Sequence, residues 1–330
     1  MNNNPDDNDP KDIQGLVVFK DVKSQQTQEQ EAVSLEYIDQ ENKIKLVCKL
    51  EPFGGNYLYS LLIINQSMAP ITEIKIRIRY PDFLMLCRSN PPKIIIDSDL
   101  IEENEKQIRI EFENLGENSQ KQINTFLTPL SLEEKGEIRS YVTYINNADF
   151  IRALDSDPVK IKFDPISIER KILPSTEVRN FLQLADIKRG IKSVGIGIEN
   201  NPDFDYLFYQ LEQTILDQNF QLITKDDDKK IAWYFGTELV SGADILVIGQ
   251  LNSNKIELLV ASQNPHIIIS ILTNFVTEFS NRLVIEDIIE TLDQIYDLEC
   301  EYCGTVLPYF PRKGESVECT KCKYEKIIWS

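Results

Sequence analysis

The clearest pattern in the first half of the chain is a strict alternation of apolar and polar residues. Residues 73–80 read Glu-Ile-Lys-Ile-Arg-Ile-Arg-Tyr, and residues 107–112 read Gln-Ile-Arg-Ile-Glu-Phe. A period of two is typical of a strand with one buried face and one solvated face. Two further apolar segments, 46–50 and 57–64, flank Pro-Phe-Gly-Gly-Asn at 52–56 and predict a hairpin.

Similar short segments continue to about residue 168. Further strands are predicted at 93–96, 122–128, 137–144 and 159–163. Short strands at even spacing, separated by turn residues, indicate an antiparallel β-sandwich over residues 33–168. Residues 1–32 are polar with few apolar anchors, so we expect a disordered acidic and polar tail there, apart from a short strand at 16–19.

The pattern changes after residues 165–175 to a mixture of helical and strand periods. Helices are predicted from Ser175, with Ser175 or Thr176 as the cap, and at 203–219, 265–281 and 285–296. Strands are predicted at 193–198, 221–224, 231–237, 245–250 and 255–261. Residues 169–297 are therefore expected to form an α+β domain, a small antiparallel sheet with helices on one side.

The last thirty residues contain Cys300-Glu-Tyr-Cys303 and Cys319-Thr-Lys-Cys322. Two Cys-x-x-Cys pairs at this separation are typical of a zinc ribbon, here residues 298–330. Four thiolates complete a tetrahedral site and leave no position for water or substrate. We therefore expect a structural Zn²⁺ bound by Cys300, Cys303, Cys319 and Cys322. Two disulfides are the alternative, but no secretory signal precedes them.

The composition is that of an acidic globular protein. Thirty-five Lys and Arg residues face 53 Asp and Glu residues, which gives a net charge of -18. This charge disfavours nucleic acid and anionic membranes, so we expect protein or peptide partners, and membrane association only through them. The longest apolar runs are too short to span a bilayer. The predicted compartment is reducing and cytoplasmic, with Cys48 and Cys87 as buried thiols.

No combination of side chains predicts catalysis. Gly195-Ile-Gly197 follows a strand, but Asn200 stands where a dinucleotide loop has its third glycine. His266, the single histidine, has no acidic or nucleophilic motif beside it and is expected at the surface or as a cap. Residues 226–230 lack the glycine and the distal glutamate of a calcium loop, and are expected to form a hairpin tip. We therefore expect a protein that is not an enzyme.

Three segments carry a family resemblance. Residues 239–251 place Gly242 in a turn before a long strand, residues 255–262 form a second strand, and Asn264-Pro265 opens an apolar helix. With the joining segment 163–182, they resemble the appendage (ear) region of the coatomer gamma subunit and clathrin adaptor (adaptin) family. The resemblance implies an immunoglobulin-like sandwich followed by a platform-like subdomain. The chain departs from the family in lacking its helical trunk and in carrying the C-terminal cysteines.

The resemblance also implies a peptide-binding groove on the platform. Tyr234 falls where the family's beta-type adaptors place a groove tyrosine, while the groove tryptophan has no counterpart here. Alternation places Tyr234 on one face of its strand and Trp233 and Phe235 on the other. One of these sets faces the open side of the sheet, or all three fill core positions. Arg189 and Lys192 would add positive charge to such a groove.

Two functions follow from these features. In the first, the protein is an appendage-like interaction module that binds short peptide motifs of partner proteins in a process related to vesicle traffic. In the second, the ribbon belongs to a nucleic-acid- or transcription-associated factor. Five basic residues support the second function, but four nearby glutamates nearly balance them. The basic residues are Arg312, Lys313, Lys321, Lys323 and Lys326.

Overall fold

The alternating segments of the first half of the chain form two antiparallel sheets. The computed structural model describes residues 43–91, 95–102, 105–199 and 203–330. The tail predicted over 1–32 and its strand at 16–19 lie outside these residues. The strands are β1 (Ile44–Phe53), β2 (Asn56–Asn65), β3 (Ile71–Pro81), β4 (Leu84–Asn90), β5 (Ile95–Glu102), β6 (Glu105–Leu115), β7 (Ser119–Pro129), β8 (Lys135–Ile145), β9 (Ile151–Asp155) and β10 (Val159–Lys162).

The two sheets share one apolar core. The four-stranded sheet has the order β1-β2-β7-β4, and the six-stranded sheet has the order β10-β8-β3-β6-β5 with β9 paired to β8. Buried core residues include Tyr59, Leu61 and Ile63 from the first sheet and Ile74, Ile76 and Ile78 from the second. The predicted hairpin is confirmed, since β1 and β2 pair antiparallel. The alternation thus buries one face of each sheet and exposes the other.

A third, seven-stranded sheet follows. Its strands are β11 (Ile168–Arg170), β12 (Lys188–Ile196), β13 (Gln221–Asp226), β14 (Ile231–Glu238), β15 (Asp244–Asn252), β16 (Lys255–Ser262) and β17 (Ile295–Asp297). The α-helices are α1 (Val178–Gln183), α2 (Phe204–Asp217) and α3 (Pro265–Ile285). The strand order is β11-β14-β15-β16-β12-β17, with β13 also paired to β14. The described residues are thus β-rich, with antiparallel sheets and few helices, as predicted.

The helices depart from the prediction at three places. They do not all lie on one side of the seven-stranded sheet, since α1 packs against Phe235 on the face opposite that of α2 and α3. The helix α1 begins at Val178 after a 3₁₀ turn over Ser175–Glu177, and no side chain caps either segment. The helix predicted over 285–296 is wrong. The chain leaves the helical region at Asp287, where φ is 53°, and residues 295–297 become strand β17. Pairing with β12 stabilises these residues as a strand, which local periodicity does not reveal.

Helix α3 is apolar on nearly all sides because it packs between the seven-stranded sheet and the two-sheet body. Ile268 and Phe275 belong to the core of the seven-stranded sheet, whereas Ile269 belongs to the core of the other two sheets. By length and composition α3 is long enough to cross a membrane, but 61% of its most apolar window is buried in protein. Residues 43–330 form one compact unit. The domain boundaries at 32, 168 and 297 stay predictions.

Candidate metal centre and cavity

The four C-terminal cysteines converge on one point. Their Sγ atoms all lie within 4.8 Å of one another. The Cys300 and Cys322 sulfurs are 3.6 Å apart, and those of Cys303 and Cys319 are 3.5 Å apart. A disulfide requires about 2.05 Å. Metal–sulfur bonds of about 2.3 Å in a tetrahedron place sulfurs roughly 3.8 Å apart, close to the observed distances. The cluster therefore fits a single metal ion.

The two Cys-x-x-Cys pairs adopt the same turn. Gly304 N donates to Cys300 O at 2.8 Å, and Lys323 N donates to Cys319 O at 3.0 Å. Gly304 and Lys323 both have positive φ, 70° and 63°. The sequence indicates this conformation at Gly304 but not at Lys323, because lysine rarely adopts it. The repeated turn shows that each pair presents its sulfurs in the same way.

The rest of the segment forms a small core beside the cysteines. Strands β18 (Ser316–Glu318) and β19 (Glu325–Ile327) pair antiparallel. Leu298, Leu307 and Val317 are buried with Cys300 and Cys319. This apolar cluster is small for a segment of this length, so a metal ion would supply much of its folding free energy.

The thiols of the cluster differ in proton affinity. Burial raises the pKa of Cys300 to about 12. Burial acts to raise the pKa of Cys303, but hydrogen bonds with the side chain and backbone of Thr305 and with Cys319 and Cys322 outweigh it and lower the pKa to about 6. A cation at the centre favours the charged form of each sulfur. The half-buried Cys48 and Cys87 are not part of the cluster, and burial raises the pKa of Cys87 to about 11.

Three aromatic rings attach the C-terminal segment to strand β12. Phe310 stacks on Trp329 at 5.7 Å and on Tyr296 at 5.6 Å between ring centroids. A Cβ atom at Gly195 would lie 2.1 Å from the Phe310 ring, and one at Gly197 would lie 2.8 Å from Tyr296. The Gly-Ile-Gly sequence therefore makes room for aromatic side chains, which is its structural role here.

Glu299, next to a cysteine of the cluster, contacts the four-stranded sheet. Its carboxylate accepts hydrogen bonds from Arg88 Nε at 3.1 Å and Asn56 Nδ2 at 2.8 Å. Arg88 also lies over the Phe126 ring, 3.3 Å from its centroid. The C-terminal segment also contacts the seven-stranded sheet, where Lys255 Nζ of β16 donates to Leu307 O at 2.7 Å. No local sequence pattern predicts the contacts of Glu299, Arg88 and Lys255, because their partners are distant in sequence.

The residues predicted to form the peptide groove do not share one surface. Tyr234 is buried in the core beneath α2 and α3, and Phe235 is buried on the opposite face beneath α1. Trp233 lies half-buried near Phe235. Arg189 is exposed and donates to Leu182 O at 2.6 Å. Lys192 is buried and ion-paired with Asp297.

A cavity of about 370 Å³ lies between the four-stranded sheet, α3 and the β12–β17 edge. Its walls are mostly apolar, and the Lys192–Asp297 ion pair lines one side. The apolar lining includes Met85, Leu130, Val194, Leu272, Val276, Leu292 and Ile295. Of the predicted groove residues, Lys192 alone lines this cavity. Besides β12, the walls come from five separate parts of the chain, at Gly55, Met85, 128–130, 272–281 and 292–297, so no sequence motif could have revealed the cavity.

Most basic side chains of the C-terminal segment are already paired. Lys313 contacts Glu199 at 2.8 Å, Lys323 contacts Glu318 at 2.8 Å, and Lys326 contacts Glu301 at 3.1 Å. These pairs reduce the positive charge that the segment could offer to a phosphate backbone.

Comparison with known proteins assigns no family. No family model matches the chain, and no similar curated protein was found. Among solved structures, the major pilin SpaD of Corynebacterium diphtheriae is similar at 9% identity and a TM-score of 0.29. That alignment covers 46% of this chain and 42% of the pilin, so the chain spans about two fifths of its length.

Two further structures are similar at the same low level. The Bacillus cereus pilin subunit BcpA aligns at 10% identity and a TM-score of 0.27, over 63% of this chain and 58% of the pilin. A DUF4466 family protein from Parabacteroides merdae aligns at 8% identity and a TM-score of 0.23, over 66% of this chain and 98% of that protein. These are pilins and a DUF protein, not appendage domains, and the predicted resemblance to coatomer gamma and clathrin adaptors is wrong. It rested on domain order and apolar pattern, which unrelated β-rich chains can share.

Proposed function

We propose that this protein is a non-enzymatic binding module whose interdomain cavity receives an apolar anchor side chain of a partner protein. The cavity of about 370 Å³ carries this proposal. Its volume and apolar walls are those of ligand pockets, which occur preferentially between domains. Thr273 and Thr277 also line the cavity, and their hydroxyl groups are proposed to contact the backbone of the bound segment. An immunoglobulin-like sandwich and the helix-backed sheet would serve as its scaffold.

The C-terminal segment is proposed to be a structural zinc ribbon. Four thiolates in tetrahedral arrangement favour zinc or iron, and a closed site without a free position is typical of structural zinc. Elemental analysis of the purified protein should give one zinc per chain. Iron in its place, together with visible absorbance, would contradict the assignment.

A non-catalytic role agrees with the surroundings of His266. Its Nδ1 atom lies 3.4 Å from Tyr57 Oη, and its backbone N donates to the helix-capping Asn264 side chain at 3.0 Å. The contact with Tyr57 joins α3 to β2. The nucleic-acid function has less support, because three lysines of the proposed ribbon are ion-paired.

The proposal can be tested by closing the mouth of the cavity. Thr277 lines the cavity and is exposed, whereas Glu278 is exposed on the same helix and does not line it. Thr277→Trp should fill the opening, and Glu278→Trp is the matched control. Random 12-residue peptides displayed on phage would be selected on the unmodified protein, and the selected peptides measured on both variants by fluorescence anisotropy.

Peptides with a shared apolar anchor should bind the unmodified protein and the Glu278→Trp variant. Affinity for Thr277→Trp should fall at least about tenfold, which corresponds to about 1.4 kcal/mol. Failure to select any peptide, or equal binding to both variants, would overturn the proposed function. Melting temperatures of both variants establish that they are folded.

A further inference from the structure

The outer face of the six-stranded sheet carries four arginines on a strongly acidic protein. Strand β3 buries Ile74, Ile76 and Ile78 and points its alternate side chains outward. Among these outward residues, Arg77 pairs with Arg109 of β6 in the strand register. Arg79 pairs with Arg139 of β8. We call Arg77, Arg79, Arg109 and Arg139 the arginine cluster.

The register sets like charges directly opposite one another. Directly opposed residues in an antiparallel pair have Cβ atoms about 4.5–5.5 Å apart, and like charges in this position destabilise the sheet. The cluster contains two such pairs, Arg77 with Arg109 and Arg79 with Arg139.

Part of the cluster is already engaged within the protein, including Arg109. Arg139 donates to Glu137 at 2.8 Å. Arg79 lies over the Tyr141 ring at 5.2 Å, and its buried Nε has no hydrogen-bond partner among the described residues. Arg77 is exposed, and neither it nor Arg79 has an ion pair within the described part of the chain. Positive charge is therefore available on a protein whose net charge is -18.

We infer that the arginine cluster binds an extended acidic segment of a partner protein. Arg77 and Arg79 are two positions apart on β3, which separates them by about 7 Å. Carboxylates at every second position of an extended peptide have the same spacing, so they can meet successive guanidinium groups.

The surroundings favour a short acidic peptide over nucleic acid. Glu111 lies opposite Lys75, and Asp155 lies opposite Tyr141, so carboxylates flank the arginines. These flanking charges and the overall acidity of the protein repel a long phosphate backbone. A short peptide with a few carboxylates contacts the arginine cluster without reaching these flanking carboxylates. The cluster shares no residue with the interdomain cavity, so this inference stands independently of the proposed function.

The test uses a labelled peptide of alternating glutamate and serine, with glutamine replacing glutamate in the control peptide. Binding to the full chain would be measured by fluorescence anisotropy at low and high salt. Arg77→Gln/Arg79→Gln removes two charges from the cluster. Lys45→Gln/Lys49→Gln removes two exposed charges from β1 of the other sheet and is the matched control.

The glutamate peptide should bind the unmodified protein and the lysine variant, and salt should weaken this binding. Binding to the arginine variant should fall about tenfold or more, while its melting temperature stays the same or rises because like-charge repulsion is relieved. If the double variant does not fold, the single exposed change Arg77→Gln serves in its place.

Three results would overturn the inference. The first is equal affinity for the glutamate and glutamine peptides. The second is tighter binding of a 20-base-pair duplex through the same arginines. The third is self-association of the protein, measured by analytical ultracentrifugation, that the arginine variant abolishes.

Discussion

At the scale of single residues, Gly195 sets how closely the aromatic rings approach strand β12. A methyl group there would lie 2.1 Å from Phe310. Gly195→Ala should therefore displace the Phe310 ring and lower the free energy of unfolding by about 1–3 kcal/mol, the usual cost of overpacking. Chemical denaturation would measure the change.

Gly116→Ala is the matched control for this substitution. Its Cβ atom would meet only Ser119 Oγ, at 3.7 Å, which is an ordinary contact. This variant should be as stable as the unmodified protein or slightly more stable. Equal losses of stability for both variants would show that the Phe310 contact is not the cause.

Glu238 is a buried carboxylate that holds the turn between β14 and β15. It accepts hydrogen bonds from Val240 N at 2.9 Å and from Ser241 N and Oγ at 2.6 Å. Burial acts to raise the pKa of Glu238, but the hydrogen bonds from Ser241 and Val240 outweigh it and lower the pKa. Glu238→Gln should cost about 1–3 kcal/mol at neutral pH, since Ser241 N would lose its acceptor.

The pH dependence of this cost follows from the lowered pKa. The carboxylate stabilises the fold above the unfolded-state pKa of about 4.3, and this contribution is lost as the pH falls through the folded-state value. Denaturation curves at several pH values should show the difference between protein and variant shrinking in acid. Glu278→Gln, at an exposed position of α3, should show little difference at any pH.

The residues of the candidate site differ in how far the sequence can reveal them. The four cysteines were predictable because their spacing is local and their chemistry is specific. Glu299 and Arg88 are 211 positions apart, and nothing near either residue indicates the other. The sequence could not decide whether Tyr234 is buried or exposed, because alternation separates the two faces of a strand but does not show which face a helix covers.

At the scale of elements, strong periodicity was a reliable guide and weak periodicity was not. Helices α2 and α3 and the strands from β13 to β16 lie where their patterns predict them. Residues 285–296 have apolar spacing suited to a helix, yet the chain turns at Asp287 and forms β17. The free edge of β12 and the ring of Phe310 stabilise this strand, and both come from outside the segment.

The contact between β4 and the C-terminal segment depends on the Arg88–Glu299 ion pair, whose side chains are 14% and 15% exposed. Arg88→Met leaves the largely buried Glu299 carboxylate with the Asn56 hydrogen bond but without its charged partner, and should lower the free energy of unfolding by about 3 kcal/mol. Arg88→Met/Glu299→Met should recover part of the loss. A double-mutant cycle by chemical denaturation measures the coupling, and additive losses would argue against a direct interaction.

At the scale of the whole molecule, the sequence predicted single strands and helices better than the way in which they pack together. Alternation and helical spacing each describe one element at a time. The contact of Gly55 with Ile191, the position of Ile269 in the core of the first two sheets and the cavity beside α3 all require residues far apart in sequence. The cavity beside α3 and the arginine cluster, on which the two binding proposals rest, both form only when distant parts of the chain come together.

Metal removal tests how the C-terminal segment depends on the rest of the molecule. A chelator should unfold residues 298–330, because binding of a structural zinc contributes about 10–16 kcal/mol in small ribbons. Strand β17 should then lose protection from hydrogen exchange, since Gly197 N and Leu298 N bond to Gln294 O and Ser193 O at its two ends. Amides of β2 and β7 should keep their protection, because the core shared by the four- and six-stranded sheets contains no residue of the C-terminal segment among the described residues. Hydrogen exchange with mass spectrometry separates these regions, and Cys303→Ser should reproduce the pattern without chelator.

Unchanged exchange in residues 298–330 after complete metal removal would mean that packing against β12, and not the metal, holds this segment folded.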